Sequence, residues 1–115
     1  MINKNLPAIN REEILKLLPH RDPMLLIDNL YNIVEMKSCL GHLKLNNDKF
    51  FLNGHFPNQP VMPGVLIVES FGQAAAALAA HSLDSDVTKN KLVYLMSIQN
   101  ARFRKPVIPP ADLYL

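Results

Sequence analysis

Residues 54 to 73 read GHFPNQPVMPGVLIVESFGQ, and this stretch decides the fold because a proline-rich loop runs directly into an apolar helix. The prolines restrict φ and reduce the freedom of the unfolded chain, so we expect the loop to be rigid. Pro63 suits the first turn of a helix, and Gly64 beside it allows close approach to the helix N-terminus. We therefore predict a long helix from Pro63 to about Ala80, apolar all round and enclosed by a sheet.

Two side chains in this stretch are suited to proton transfer, His55 in the loop and Glu69 in the helix. Histidine can abstract a proton near neutral pH, and a carboxyl group can donate one. The free N–H groups at the helix N-terminus can stabilise an enolate oxygen, and because proline has no N–H the candidate donors are Gly64 and Val65. This set of base, acid and oxyanion donor suits α-proton abstraction with β-elimination or isomerisation.

The same two side chains also have ordinary structural interpretations. A loop histidine is often only hydrogen-bonded, and a single glutamate on an apolar helix can end a buried ion pair. The residues alone leave both interpretations open. They also leave open whether Glu69 meets His55 of its own chain or of a neighbour.

Composition narrows the class of protein. The 115 residues fit a single domain spanning 1–115, and with 49% hydrophobic and 19% charged residues we expect further apolar surface to be covered in an oligomer. A net charge of +2 is too small for a nucleic-acid-binding protein. The apolar run from Val61 to Ala80 is interrupted by Pro63, Glu69 and Gln73, which favours a buried helix of a soluble protein over a membrane span.

Cysteine and histidine usage gives no sign of a disulfide, metal or cofactor. The single Cys39 and the lack of a secretory signal indicate the cytoplasm, and Cys39 is interpreted as a small core residue. The four histidines lack the spacing of metal ligands.

The remaining elements follow from local signals. His20 lies in turn-forming sequence before Pro23, and a structural turn residue is favoured over a ligand-facing one. The predicted elements are a helix at Arg11–Leu18 capped by Asn10, a short apolar segment at 24–27, a two-stranded hairpin within 30–45, a third strand at Lys91–Ile98, and the opening of a further strand at 112–115.

Three motifs appear in order along nearly the whole chain: LPHRDPMLLID at 18–28, the stretch from Gly54 to Glu69, and RFRKPV at 102–107. With these motifs the chain resembles the β-hydroxyacyl-acyl carrier protein dehydratases of bacterial type II fatty-acid synthesis, the FabZ family. The resemblance implies an α+β hot-dog fold, an antiparallel sheet wrapped round a long central helix. It also implies homodimers that can group into a trimer of dimers.

The resemblance implies roles for individual residues. His55 and Glu69 would be catalytic, contributed across the dimer interface, and the Gly64 N–H would hold the enolate oxygen. They would remove water from a (3R)-hydroxyacyl thioester on acyl carrier protein, giving a trans-2-enoyl thioester without cofactor or metal. Phe56 and Val61 would line the acyl tunnel, or merely pack. The basic residues Arg102, Arg104 and Lys105 would face the acidic carrier protein, or only solvent.

Differences from related families set the alternatives. Hot-dog dehydratases that also isomerise the double bond carry Asp at the helix-acid position, so Glu69 favours the plain dehydratase. Thioesterases of this fold lack the Gly-His-Phe-Pro loop. The alternative from another class is a non-catalytic acyl-binding or scaffolding dimer. The family pattern would continue through two more strands beyond Leu115, so we expect an incomplete sheet, and Pro109-Pro110-Ala111 replaces the usual Pro-Gly-Asp turn.

Overall fold

The computed structural model describes residues 1–83 and 95–115. Its elements, in chain order, are α1 (Arg11–Leu17), β1 (Asn29–Val34), β2 (Ser38–Leu45), α2 (Gly64–Ser82) and β3 (Ala111–Tyr114). The described strands form one antiparallel sheet in the order β1-β2-β3. Helix α2 packs against β2, and α1 packs against α2. The predicted α+β arrangement of an antiparallel sheet and a long helix is confirmed.

Helix α1 begins and ends close to its predicted positions. The Asn10 side chain accepts a hydrogen bond from the Glu13 backbone N–H at 3.0 Å, as expected of an N-cap. Glu12 and Glu13 lie in the first turn, where the helix dipole favours negative charge. Ile14 is fully buried and anchors the helix to the core.

Ion pairs between Arg11 and two aspartates fix the segment after α1. Arg11 Nη1 donates to Asp28 Oδ1 at 3.1 Å, and its other nitrogen donates to Asp22. Asp28 Oδ2 in turn accepts from the Lys44 backbone N–H at 2.7 Å, so one carboxylate links α1 to β2. The apolar residues 25–27 between these anchors are buried. The chain around residue 20 is therefore held in a defined place beside α2.

The predicted hairpin is confirmed as β1 and β2. The strands are antiparallel, with Asn29 opposite His42, and the turn is closed by a Lys37 N–H to Val34 carbonyl bond of 2.9 Å. The predicted final strand is confirmed as β3, which pairs with the other edge of β2, with Leu113 opposite Leu43.

The predicted third strand at Lys91–Ile98 is wrong where the structure tests it. Residues 91–94 lie outside the described residues, and 95–98 form no strand. Apolar side chains such as Leu95 and Met96 are exposed there. A strand needs a neighbour for its backbone N–H and C=O groups, and an alternating sequence does not supply one.

Helix α2 starts at Gly64, one residue after its predicted start, with Pro63 at the N-cap, and it ends at Ser82, two residues beyond the predicted end. The prediction that it is enclosed on all sides is wrong for the chain by itself. Its buried residues form one stripe, Ser70, Gln73, Ala74 and Ala77. Val65 and Phe71, which are 71% and 53% exposed, lie outside that stripe because the described strands cover one face of the helix.

The contact between α2 and the sheet depends on small residues. A Cβ placed on Gly41 of β2 would lie 3.1 Å from the Cβ of Ala74, which is tighter than ordinary packing. Glycine at 41 therefore lets the helix approach the strand closely. Ala77 is fully buried in the same region.

By length and composition α2 is also the helix, among the described residues, that is long and apolar enough to cross a membrane. The core helices of soluble proteins meet the same criteria. The buried amide of Gln73, bonded to the segment around residue 25, anchors the buried face of the helix to the rest of the fold.

Two apolar clusters flank the sheet. One joins α1, β1 and α2; the other lies between β2, the residue 51–62 loop and the first turns of α2. The first contains Ile9, Ile14, Leu18, Leu25, Ile27, Leu30, Ile33, Ala74 and Ala77. The second contains Leu26, Leu43, Leu45, Phe51, Leu52 and Met62. The loop that carries His55 is thus anchored at both ends, by Leu52 before it and Met62 after it.

Candidate active site

His55 lies half-buried on the loop before α2, and its ring is oriented by the loop backbone. Nδ1 is 2.8 Å from the carbonyl oxygen of Val61, and the Val61 N–H donates to the His55 carbonyl, also at 2.8 Å. A carbonyl oxygen can only accept, so the proton of the neutral ring lies on Nδ1. Nε2 is therefore left as the basic nitrogen, as a general base requires.

The loop is closed by its own hydrogen bonds, in agreement with the rigidity expected from its prolines. The backbone groups of Phe56 and Gln59 bond to each other in both directions, at 3.1 and 3.0 Å. The Phe56 ring stacks on the His55 imidazole with centroids 4.3 Å apart. At the loop end, the Met62 N–H donates to the Val107 carbonyl at 2.9 Å. The imidazole is thus fixed by a carbonyl and by an aromatic ring.

Glu69 projects from the second turn of α2 and rests on a buried amide. The Nε2 of Gln73, one turn further along the helix, donates to Glu69 Oε1 at 3.2 Å. Gln73 is only 1% exposed. Its amide is held by the segment that precedes β1: the Gln73 Oε1 accepts from the Leu26 N–H at 2.9 Å, and the Gln73 Nε2 also donates to the Met24 carbonyl at 2.8 Å. The N–H that faces Glu69 is therefore fixed in direction.

Gln73 was not predicted to be a partner of Glu69. In the sequence it is noted only as a polar residue that interrupts the apolar run from Val61 to Ala80. The available signal was its position four residues after Glu69, since residues at i and i+4 are neighbours on a helix surface. Its partners at Met24 and Leu26 come from a distant segment and left no local signal.

His20, which the sequence favoured as a turn residue, lies next to Glu69. Its Nε2 is 3.6 Å from Glu69 Oε1, and its side chain is 21% exposed. His20 from the segment after α1 and Gln73 from α2 therefore both face one oxygen of the Glu69 carboxyl group.

The first backbone N–H groups of α2 have no hydrogen-bond acceptor among the described residues. No described residue accepts a hydrogen bond from the backbone N–H of Gly64 or Val65, as is usual in a first helical turn. A Cβ on Gly64 would lie 2.7 to 2.9 Å from ring carbons of Phe103, so the absence of a side chain lets this aromatic ring lie against the helix end.

The other residues singled out from the sequence are placed as follows. Phe56 is exposed beside His55, and Val61 is half-buried, with its backbone bonded to His55. Arg102, Arg104 and Lys105 are all exposed in an irregular segment near the start of α2. Within residues 1–83 and 95–115, no three His, Cys, Asp or Glu side chains form a group that could hold a metal ion.

Within one chain the structure does not bring His55 and Glu69 together, because no hydrogen bond or ion pair connects them. His55 contacts the loop, and Glu69 contacts Gln73 and His20. The base and the acid are each positioned by their own surroundings, on either side of the start of α2.

Comparison with known proteins identifies the class. The model of the FabA-like domain matches residues 18–115, so the chain belongs to the FabA-like domain family and its fold is the hot-dog fold of that family. The resemblance to FabZ noted in the sequence is confirmed by individual relatives.

One relative is the 3-hydroxyacyl-[acyl-carrier-protein] dehydratase FabZ of Anaeromyxobacter dehalogenans strain 2CP-1, 50% identical over 102 residues, which are 89% of this chain and 65% of the relative. The protein of that name from Rhodospirillum rubrum is 44% identical over 94% of this chain and 67% of its own length. The one from the Wolbachia of Brugia malayi is 46% identical over 92% of the chain and 73% of its own length. The chain thus spans about two thirds of the length of these relatives.

Proposed function

We propose that this chain is a hydro-lyase domain, residues 1–115, that dehydrates (3R)-hydroxyacyl thioesters on acyl carrier protein in fatty-acid biosynthesis. The observation that carries the proposal is the hydrogen bond that leaves His55 Nε2 unprotonated on a rigid loop, beside a helix start with free N–H groups. The relatives named as 3-hydroxyacyl-[acyl-carrier-protein] dehydratases support the substrate class.

The reaction follows from the chemistry of the three groups. His55 Nε2 removes the α-proton of the thioester, and the Gly64 N–H holds the enolate oxygen that develops. The double bond then forms between the α and β carbons as the Cβ–O bond breaks. Glu69 gives its proton to the departing hydroxyl, which leaves as water. The product is a trans-2-enoyl thioester, and neither cofactor nor metal takes part.

The site is proposed to be shared between two copies of the chain. No hydrogen bond or ion pair joins His55 and Glu69 within one chain, and a base and an acid that act on neighbouring carbons must lie within a few ångströms of each other. The apolar surface around Val65 and Phe71 supports this arrangement, since its burial against a second copy would stabilise a dimer. Such homodimers are able to group further into a trimer of dimers, as the family resemblance implies.

The substrate would enter along exposed parts of the loop. The acyl chain is proposed to lie against Phe56 and Val61, because an exposed aromatic ring next to the base offers apolar contact. Carrier protein is acidic, and the exposed Arg102, Arg104 and Lys105 would bind it through charge complementarity. These steps need neither a membrane nor nucleic acid and fit a cytoplasmic enzyme.

The test is hydration of a crotonoyl thioester, followed by loss of enoyl absorbance, in the parent chain and in His55→Ala and Glu69→Gln. Each variant is expected to lose about 10²-fold or more in kcat, as is typical when a positioned acid or base is removed. His81→Ala, in the last turn of α2, and Glu12→Gln, exposed on α1, are matched controls that should keep parental activity.

Undiminished turnover in either active-site variant would remove that residue from the mechanism. An inactive parent that still binds an acyl chain would instead favour the non-catalytic acyl-binding dimer.

A further inference from the structure

The surroundings of Glu69 are asymmetric. Both nearby nitrogens face the same carboxylate oxygen: Gln73 Nε2 lies 3.2 Å from Oε1, and His20 Nε2 lies 3.6 Å from it. No described residue donates a hydrogen bond to Oε2. The two oxygens of one carboxyl group therefore have different partners.

The burial of the His20 ring assigns its proton. Nδ1 has less than 1 Å² of accessible surface and no hydrogen-bond partner among the described residues. A proton on Nδ1 would be a buried donor without an acceptor, which is more costly than a bare lone pair at the same place. The neutral ring therefore carries its proton on Nε2, the nitrogen that faces Glu69.

The backbone around His20 is held independently of Glu69. Arg21 Nη1 donates to the carbonyl oxygens of Leu18 and His20, at 2.8 and 2.7 Å. The Met24 N–H closes the turn by donating to the Arg21 carbonyl at 2.8 Å. His20 is thus presented to Glu69 by a turn with its own hydrogen bonds.

We propose that His20 is a positioning residue for the acid of the proposed dehydration: the Gln73 amide donates to Oε1 and the His20 Nε2–H faces the same oxygen, so the transferable proton of Glu69 lies on Oε2. The proposal rests on the proposed function. A hydroxyl proton on Oε1 would face two N–H donors, whereas Oε2 is free to carry it and to turn toward the substrate.

The same arrangement acts during the reaction. When the Oε2–H bond breaks and the proton moves to the β-hydroxyl, Glu69 becomes a carboxylate. The hydrogen bond from Gln73 to Oε1 is then charge-assisted and stronger than it was to the neutral acid, and the Nε2–H of His20, 3.6 Å away, is attracted to the same oxygen. An interaction that strengthens as the charge develops lowers the barrier rather than only tightening substrate binding.

The kinetic test compares His20→Met with His20→Gln. The two side chains have similar length, and only glutamine offers an N–H near the position of Nε2. We expect His20→Met to lower kcat by about 10- to 100-fold, the scale of a misplaced catalytic group, with KM changed less than about twofold. His20→Gln should recover most of that loss. Thermal unfolding of both variants separates these effects from a loss of folded protein.

Full activity in His20→Met, or equal losses in the two variants, would overturn the positioning role while leaving the dehydratase function intact. A change confined to KM would also contradict it.

A second measurement does not depend on turnover. In ¹⁵N imidazole spectra of the parent chain, His20 should show a protonated Nε2 and a bare Nδ1, and the Nε2 signal should move in Glu69→Gln. A proton on Nδ1 would refute the tautomer and with it the proposal. An inactive parent with the expected spectrum would refute the dehydratase function and the catalytic consequence for His20, leaving only the contact.

Discussion

At the scale of single residues, the hydrogen bonds of a histidine ring decide what it can do. In His42, Nδ1 accepts from the Asn29 side chain at 3.0 Å and Nε2 donates to Asp112 at 2.9 Å, so both nitrogens are engaged in linking the three strands. In His55 one nitrogen is engaged, by a carbonyl oxygen, and the other is left for chemistry. The same residue type thus serves as a structural link in β2 and as a candidate base in the loop.

Cys39 is expected to react slowly as a thiol. It is partly buried against the core, in agreement with its interpretation as a small core residue, and burial raises its pKa above the ordinary value of 9.0. A raised pKa leaves less thiolate at pH 8, and the thiolate is the reactive form. Alkylation of the folded chain should therefore be several-fold slower than that of the chain in urea, and should accelerate as the pH rises past 9.

The rate of alkylation can be followed by mass spectrometry, with Cys39→Ser as the blank because the chain has no other cysteine. Equal rates in folded and unfolded chain would show that the thiol is not protected.

At the scale of elements, helical periodicity divides α2 into two faces. Ser70, Gln73 and Ala77 lie buried on one stripe, so Glu69 at its edge is held between the core and the surface. Phe71 lies on the exposed side. One helix thereby supplies the acid, its support and apolar surface for a second copy.

The start of α1 depends on its cap. Asn10→Ala removes the acceptor of the Glu13 N–H and should lower the free energy of unfolding by about 1 kcal/mol. Asn10→Asp keeps an acceptor there and should stay near the parent. Urea unfolding measures both. A loss in Asn10→Asp equal to that in Asn10→Ala would mean that the cap bond is not the cause.

At the scale of the whole molecule, the described chain leaves much apolar surface exposed. Large side chains such as Val65, Phe71 and Phe103 are more than half exposed. Exposed apolar patches mark interaction sites in soluble proteins. It agrees with a site whose base and acid come from different copies.

We therefore expect the chain to have the solution mass of a dimer or a multiple of it. Phe71→Glu should shift the mass toward the monomer and lower turnover with it, because a charge on the apolar face would have to be desolvated on association. Met36→Glu, an equally radical change at the exposed hairpin turn, is the matched control and should leave the mass unchanged. Light scattering at several concentrations gives the masses. A monomeric parent with full activity would contradict the shared site.

Much of the fold could be predicted because its signals are local. Asn10 marks the start of α1 and Pro63-Gly64 the start of α2, each within a few residues. The prediction of a third strand was wrong because it also rested on a local signal. Residues 95–98 have a strand-like pattern but no described neighbour to pair with.

The sequence by itself determined the family, the boundaries of both helices, the hairpin, and the choice of His55, Glu69 and Gly64 as the candidate site. Only the tertiary structure decided that Gln73 and His20 converge on Glu69, and that α2 buries one face. Those contacts join segments up to 49 residues apart, as in the bond from Gln73 to Met24. Helix caps and strand alternation report on neighbours along the chain, whereas the surroundings of a carboxylate depend on which distant segments pack against it.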